Sequence, residues 1–233
     1  MKCIGLLGGM SWESTAIYYR LMNEAVRDRL GGHHSARLLL HSVDFHLIKQ
    51  LQHEGDWAGT AKILVEAARG LKAGGADFLV IATNTMHKVA REIEAGSGLT
   101  IVHIADPTGE ALVADGVARV ALLGTRFTME QDFYRQRLEE RFGLEVMVPE
   151  AGERDEIHRI IYDELCLGII KRESAEIYRE IIAAMKHRGA EAVILGCTEI
   201  TMIVDEHVSP LPTYDTTRLH AEAAVARATQ AGA

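Results

Sequence analysis

Two short polar clusters carry the residue types best suited to chemistry: Thr83-Asn84-Thr85 and Cys197-Thr198-Glu199. The thiol of Cys197 is a candidate nucleophile or general base. Backbone N–H groups of a following helix would favour its thiolate and bring the pKa down from the usual value of about 8.5. Glu199 is placed to hold a nearby proton, to bind a substrate ammonium, or to cap the helix. Thr83 is different, because a hydroxyl keeps its proton near neutral pH. It can donate a hydrogen bond, relay a proton through water, or bind a carboxylate. Asn84 and Thr85 add donors at the same helix start, which suits an α-carboxylate. His87, one turn along, is a candidate support, with a partly exposed helical histidine as an equally good reading. Cys3 and Cys166 are expected to be structural thiols.

Each cluster ends a similar stretch. One runs from Gly75-Ala76-Asp77 through Phe78 to Ile81, the other from Gly189-Ala190-Glu191 through Ala192 to Leu195. Unbroken apolar runs of this length read as strands buried on both faces. Ligands of open parallel sheets sit just past the carboxyl ends of such strands. Two further pairs recur in the same order: Ile4 to Ser11 matches Val120 to Phe127, and Ile104-Ala105-Asp106 matches Thr213-Tyr214-Asp215. The chain therefore reads as a duplicated α/β unit. Two lobes related by a pseudo-twofold, with Thr83 and Cys197 flanking one cleft, are the expected arrangement.

Strands are expected over residues 2–7, 37–43, 78–83, 100–104, 119–123, 144–148, 192–197 and 211–214, alternating with helices. That alternation implies parallel sheets covered by helices on both faces. Gly8-Gly9-Met10-Ser11 turns the first strand into a helix, with Ser11 as a cap. The glycine pair would let backbone N–H groups approach an anion, although a plain tight turn explains it equally well. The spacing is not that of a dinucleotide fingerprint. The chain crosses between halves at residues 106–108 and 209–216. The first lobe is accordingly expected to hold residues 1–106 with 209–233, and the second 107–208.

Bulk properties narrow the function classes. The 233 residues are 48% hydrophobic and 25% charged, as in soluble globular proteins. A net charge of −8 without a basic run argues against nucleic acid. No apolar stretch approaches the roughly 20 residues that span a bilayer, and the N-terminus lacks a secretory apolar region. A cytoplasmic protein is expected. Three cysteines without close pairing fit free thiols, and the eleven histidines show no metal-binding spacing.

Gly8-Gly9-Met10-Ser11, Asn84-Thr85-Met86-His87 and Gly196-Cys197-Thr198-Glu199 together resemble the cofactor-independent aspartate/glutamate racemase family, over essentially the full length. The chain is most similar to its YgeA-type amino-acid racemases. The resemblance implies two flavodoxin-like lobes, a homodimer, and no pyridoxal phosphate or metal. It implies catalysis by two cysteines, one per lobe, on opposite faces of the substrate α-carbon. Here the first-lobe position is Thr83, which leaves Cys197 as the base for the L-enantiomer. By the same resemblance Met10, Ser11, Gln52, Asn84, Thr85, Thr198 and Glu199 are expected to bind substrate, with His87 and Cys166 in support.

The basic residues that grip substrate carboxylates in aspartate-specific relatives fall near Gln52 and Cys166, neither of them cationic. A neutral polar side chain, such as that of homoserine, is therefore expected to be accepted alongside aspartate or glutamate. A single surviving thiol also resembles the decarboxylases and double-bond isomerases on this scaffold. A two-lobed small-molecule sensor is the non-enzymatic alternative.

Overall fold

The computed structural model describes residues 1–230. The chain divides into two compact units, residues 1–103 with the segment from His220 onward, and Ile104–Leu219. Residues 231–233, which the expected first lobe includes, lie outside the described residues.

The first unit contains β1 (Ile4–Gly8), α1 (Trp12–Leu30), β2 (Leu38–Ser42), α2 (Phe45–Glu54), α3 (Trp57–Ala73), β3 (Phe78–Ile81), a 3-10 turn at Thr85–Val89, and α4 (Ala90–Ser97). Its sheet is parallel in the order β2-β1-β3, with Ile4 registered against both Leu38 and Phe78. Side chains of a strand alternate between faces, and two cores follow from that. Ile4, Leu6, Phe78 and Val80 pack with Tyr18, Met22 and Val26 of α1. Leu7, Leu79 and Ile81 pack with Leu64 and Ala68 of α3 and Ile93 of α4. Apolar residues on both faces of β1 and β3 are thus used, as a parallel sheet requires, while the edge strand β2 is more exposed.

The second unit contains α5 (Ala105–Ala114), β4 (Arg119–Gly124), α6 (Arg126–Glu130), α7 (Asp132–Phe142), β5 (Glu145–Met147), α8 (Ala151–Asp163), a 3-10 turn at Leu165–Leu167, α9 (Arg172–His187), β6 (Ala192–Gly196), a 3-10 turn at Thr198–Met202, and β7 (Thr213–Asp215). A final helix, α10 (Thr216–Thr229), follows, and from His220 onward its residues belong to the first unit. The second sheet is parallel in the order β5-β4-β6-β7. Val120, Leu122, Ala192 and Ile194 face a core with Leu112, Tyr134 and Leu138. Ala121, Leu123, Val193 and Leu195 face another, built with Ile157 and Ile160 of α8 and Ile182 of α9. Full burial of one such aliphatic side chain contributes about 1.5–3 kcal/mol.

Each unit is therefore an α/β layer structure, and the duplication read from sequence reappears as matching strand orders. The first unit even keeps a remnant of the fourth strand, a lone parallel bridge between Leu79 and Ile101. The strand expected at 100–104 shrinks to that bridge. Residues 209–219, expected with the first lobe, fall in the second unit, because β7 pairs with β6 from Val193↔Thr213 to Leu195↔Asp215. Helix α2 was not expected. Asp44 caps it by accepting from the His46 N–H at 3.0 Å, and Gly55 ends it at φ 74°.

Candidate active site

In a sheet of order 2-1-3 the connections after the first and third strands leave toward opposite faces, which opens a crevice at their carboxyl ends. The first unit meets this condition. Helix α1 after β1 packs on one face, while the Thr85–Val89 turn and α4 after β3 pack on the other. The second unit does the same, with α7 after β4 on one face and the Thr198–Met202 turn after β6 on the other.

The turn after β1 owes its glycines to close packing. A Cβ on Gly8 would stand 2.5 Å from Thr15 Cγ2, and one on Gly9, where φ is 89°, would stand 2.3 Å from the Val43 carbonyl oxygen. Two of its donors are engaged locally. Gly9 N–H donates to Thr15 Oγ1 at 2.8 Å, and Ser14 N–H donates to Ser11 Oγ at 3.2 Å. Ser11 serves as the cap of α1, as expected. Met10 is buried in the core that also holds Ile48, Ile81 and Met86.

Thr83 follows β3 and is half-buried. Its N–H donates to the Ile81 carbonyl at 2.8 Å, and its own carbonyl accepts from His87 Nδ1 at 2.9 Å. Asn84 and Thr85 are buried at the head of the 3-10 turn. His87 is fully enclosed rather than a surface histidine. Burial, then the neighbouring His103 and His220, hold its pKa well below the ordinary value. Gln52, on α2, is 4% exposed. Its Nε2 reaches Met86 Sδ at 4.0 Å, while Oε1 has no hydrogen-bond partner among the described residues. Lys88 stands 3.9 Å over the Trp57 ring, and burial lowers its pKa.

Cys197 sits at the end of β6 beside Gly196, whose lack of a side chain is obligatory: a Cβ there would lie 2.7 Å from the Leu123 carbonyl oxygen. Its Sγ donates to Glu199 Oε2 at 2.9 Å. The electrostatics reverse the expectation from sequence. Only a five-residue 3-10 turn follows the cysteine, in place of the expected helix. Burial first, then the Glu199 carboxylate and the Cys166 thiol, raise the Cys197 pKa well above the ordinary thiol value. Cys197, half-buried, is thus biased toward its thiol form, and Glu199 accepts its hydrogen bond instead of capping a helix.

Cys166, on the Leu165–Leu167 turn, packs against the same core as Cys197. Tyr162 on α8 and Tyr178 on α9 stand within electrostatic reach of both thiols and of Glu199, and burial with these neighbours raises both phenol pKa values. The buried Tyr178 hydroxyl has no hydrogen-bond partner among the described residues. Thr198 is also buried, and its hydroxyl accepts from Thr217 Oγ1 at 3.1 Å.

Within the first unit the structure thus groups Met10, Gln52, Thr83, Asn84, Thr85 and His87 at the carboxyl ends of β1 and β3. Within the second it groups Cys197, Glu199, Thr198 and Cys166. Sequence reasoning missed Tyr162, Tyr178, His103 and His220. No local motif marks them, since they stand on helices or connections remote in sequence from the residues they adjoin. No group of His, Cys, Asp or Glu suited to a metal ion occurs among the described residues. No helix among them is long and apolar enough to cross a membrane.

Comparison with known proteins adds an independent line. The sequence profile described as Asp/Glu/Hydantoin racemase matches residues 7–224. A crystal structure of a candidate Asp/Glu racemase from Yersinia pestis is similar with a TM-score of 0.93 and 51% identity, covering 99% of this chain and 100% of that one. The broad specificity amino-acid racemase RacX of Bacillus subtilis is 21% identical over 95% of this chain and 96% of its own length. A glutamate racemase of Koribacter versatilis is 28% identical over 61% of this chain, and the match spans 48% of that relative.

Proposed function

This chain belongs to the Asp/Glu/Hydantoin racemase family, and from that premise we propose that it interconverts L- and D-amino acids by proton transfer at Cα. The observation that carries the reading is the Cys197–Glu199 pair, a thiol donating to a carboxylate at 2.9 Å at the end of β6. Passing the thiol proton to Glu199 generates the thiolate without adding charge to a buried site, since the pair carries one negative charge before and after. Keeping a site's net charge constant avoids the cost of desolvating a new ion.

In this mechanism the Cys197 thiolate removes the Cα proton of the L-enantiomer, and the electron pair of the broken C–H bond passes into the substrate carboxylate. Thr83 serves the opposite face. Its hydroxyl relays a proton there, giving its own to Cα as it takes one from a water molecule, so that a new Cα–H bond forms with inverted configuration. The hydroxide left behind is neutralised by the proton held on Glu199. Asn84 and Thr85 hold the α-carboxylate, with Met10, Ser11 and Thr198 shaping the site. Gln52 and Cys166 meet the substrate side chain. Neither is cationic, so nothing there selects a dicarboxylic side chain: the substrates are aspartate and glutamate, or a broader set that includes neutral polar amino acids such as homoserine. The broad specificity of the Bacillus relative RacX agrees with that range.

Equal free energies of the two enantiomers fix the ratio of forward and reverse kcat/KM at one, so the unlike bases cannot make the reaction irreversible. They can make the two faces exchange unequally. In heavy water, L-substrate is expected to gain deuterium at Cα faster than it inverts. Cys197→Ser is expected to remove both processes, and Thr83→Cys to preserve or raise inversion. A fully active Cys197→Ser protein refutes the assignment of the base.

A further inference from the structure

The geometry points to His87 as the positioning residue for Thr83, locked in place by a buried histidine–tyrosine cluster of the first unit. The inference rests on the reading above, in which Thr83 serves one face of the substrate. Thr83 lies just beyond the last ladder bond of its strand, where Ala82 N–H donates to the Leu7 carbonyl at 2.9 Å. Past that point the sheet no longer fixes the backbone. Two local bonds take over: Thr83 N–H to the Ile81 carbonyl at 2.8 Å, and His87 Nδ1 to the Thr83 carbonyl at 2.9 Å. Together they pin both peptide groups of Thr83, and so set the direction of the Cα–Cβ bond from which its hydroxyl projects.

The bond to a carbonyl assigns the tautomer, because only a protonated Nδ1 can donate to it. A similar deduction holds for His220. Its Nε2 lies 2.6 Å from the Val102 carbonyl and must carry the proton, which leaves Nδ1 to accept from the Tyr18 hydroxyl at 2.8 Å. His103 and His220 stand edge-on to His87, with ring centroids 4.6 and 5.7 Å away. All of these side chains are buried, and Tyr18 and His220 are fully so. The His87 ring therefore cannot swing without disturbing His103 and His220, the second of which is held between the Tyr18 hydroxyl and the Val102 carbonyl. An imidazole held neutral by its surroundings is a permanent donor over the working pH range, as a positioning group requires. Catalysis is sensitive to such placement, since a displacement of about 1 Å costs roughly a hundredfold in rate.

The test separates inversion from exchange. L-substrate is incubated in heavy water, and chiral chromatography with mass detection reads D-product formation and deuterium wash-in to the L form. His87→Leu removes the donor at similar bulk and is expected to lower inversion roughly ten- to hundredfold while wash-in, set by Cys197, changes little. His87→Asn places an amide nitrogen where Nδ1 stood and is expected to restore the wild-type ratio of inversion to wash-in. A general structural role would lower both rates together, and that result, or an unchanged ratio in folded His87→Leu, overturns the inference. If His87→Leu does not fold, His87→Gln, whose amide lies one bond too far out, carries the same comparison. Thr83→Val isolates the underlying reading. Unchanged inversion there sinks the role of Thr83 and this inference with it, whereas lost inversion with an unchanged His87→Leu ratio overturns the inference alone.

Discussion

Replacing Glu199 by Gln distinguishes two roles that this carboxylate can have beside Cys197. Its Oε2 lies 2.9 Å from Sγ, close enough both to take the thiol proton and to oppose the thiolate electrostatically. Gln keeps the shape and a hydrogen-bonding oxygen but removes the charge and the basicity. With the anion gone, the Cys197 pKa moves down, so more thiolate is present at neutral pH. If Glu199 did no more than suppress ionisation, Glu199→Gln would be faster than the wild type. If it accepts the proton, the variant loses general-base assistance, which typically contributes about 10²–10⁴-fold. At about 1.36 kcal/mol per tenfold, that is a barrier rise of roughly 2.7–5.4 kcal/mol. The loss is expected in kcat for L-substrate, followed by chiral chromatography. Ultraviolet titration of the thiolate in a Cys3→Ser, Cys166→Ser background should show the downward shift. A variant that combines the lower thiol pKa with undiminished turnover refutes Glu199 as the proton acceptor.

Gly9→Ala should destabilise the first unit by about 2 kcal/mol or more, since φ is 89° and the new Cβ would lie 2.3 Å from the Val43 carbonyl oxygen. Urea denaturation checks this, and a loss below about 0.5 kcal/mol, the usual range for a surface change, contradicts the packing argument. Glu164, buried between α8 and α9, accepts from Ser174 Oγ at 2.5 Å and pairs with Arg159 and Lys171, which brings its pKa from 4.5 down to about 2. A carboxyl whose folded pKa is depressed contributes stability above its unfolded value and loses it as pH falls through the folded one. The urea midpoint of wild type should therefore exceed that of Glu164→Gln at pH 6, with the gap closing between about pH 4.5 and 2. A gap independent of pH across that window would show that the charge is not what Glu164 contributes.

Local pattern carried most of the fold. Apolar runs such as Phe78–Ile81 and Ala192–Gly196 read as buried parallel strands because they are short for a helix, contain Val and Ile, and lie between a Gly and a polar cluster. The recurrence of those runs in one order made the duplication legible, and the polar residues that close them located the ends where Thr83 and Cys197 stand. The edges were harder to read. Residues 211–219 carry no signal of which sheet they join, since strand pairing is decided by partners far away in sequence, and β7 went to β6.

The chemical state of the site was decided by tertiary structure. That Cys197 is biased toward a thiol hydrogen-bonded to a carboxylate, and not toward a thiolate relaxed by a helix, follows from its packing against the core of α8, α9 and β6 and from the short turn after it. That His87 is an enclosed donor to Thr83 follows from His103 and His220, brought beside it from other parts of the chain. Residue type and spacing name the groups available for proton transfer. Their protonation depends on local dielectric and neighbouring charge, and these arise only when distant segments pack together.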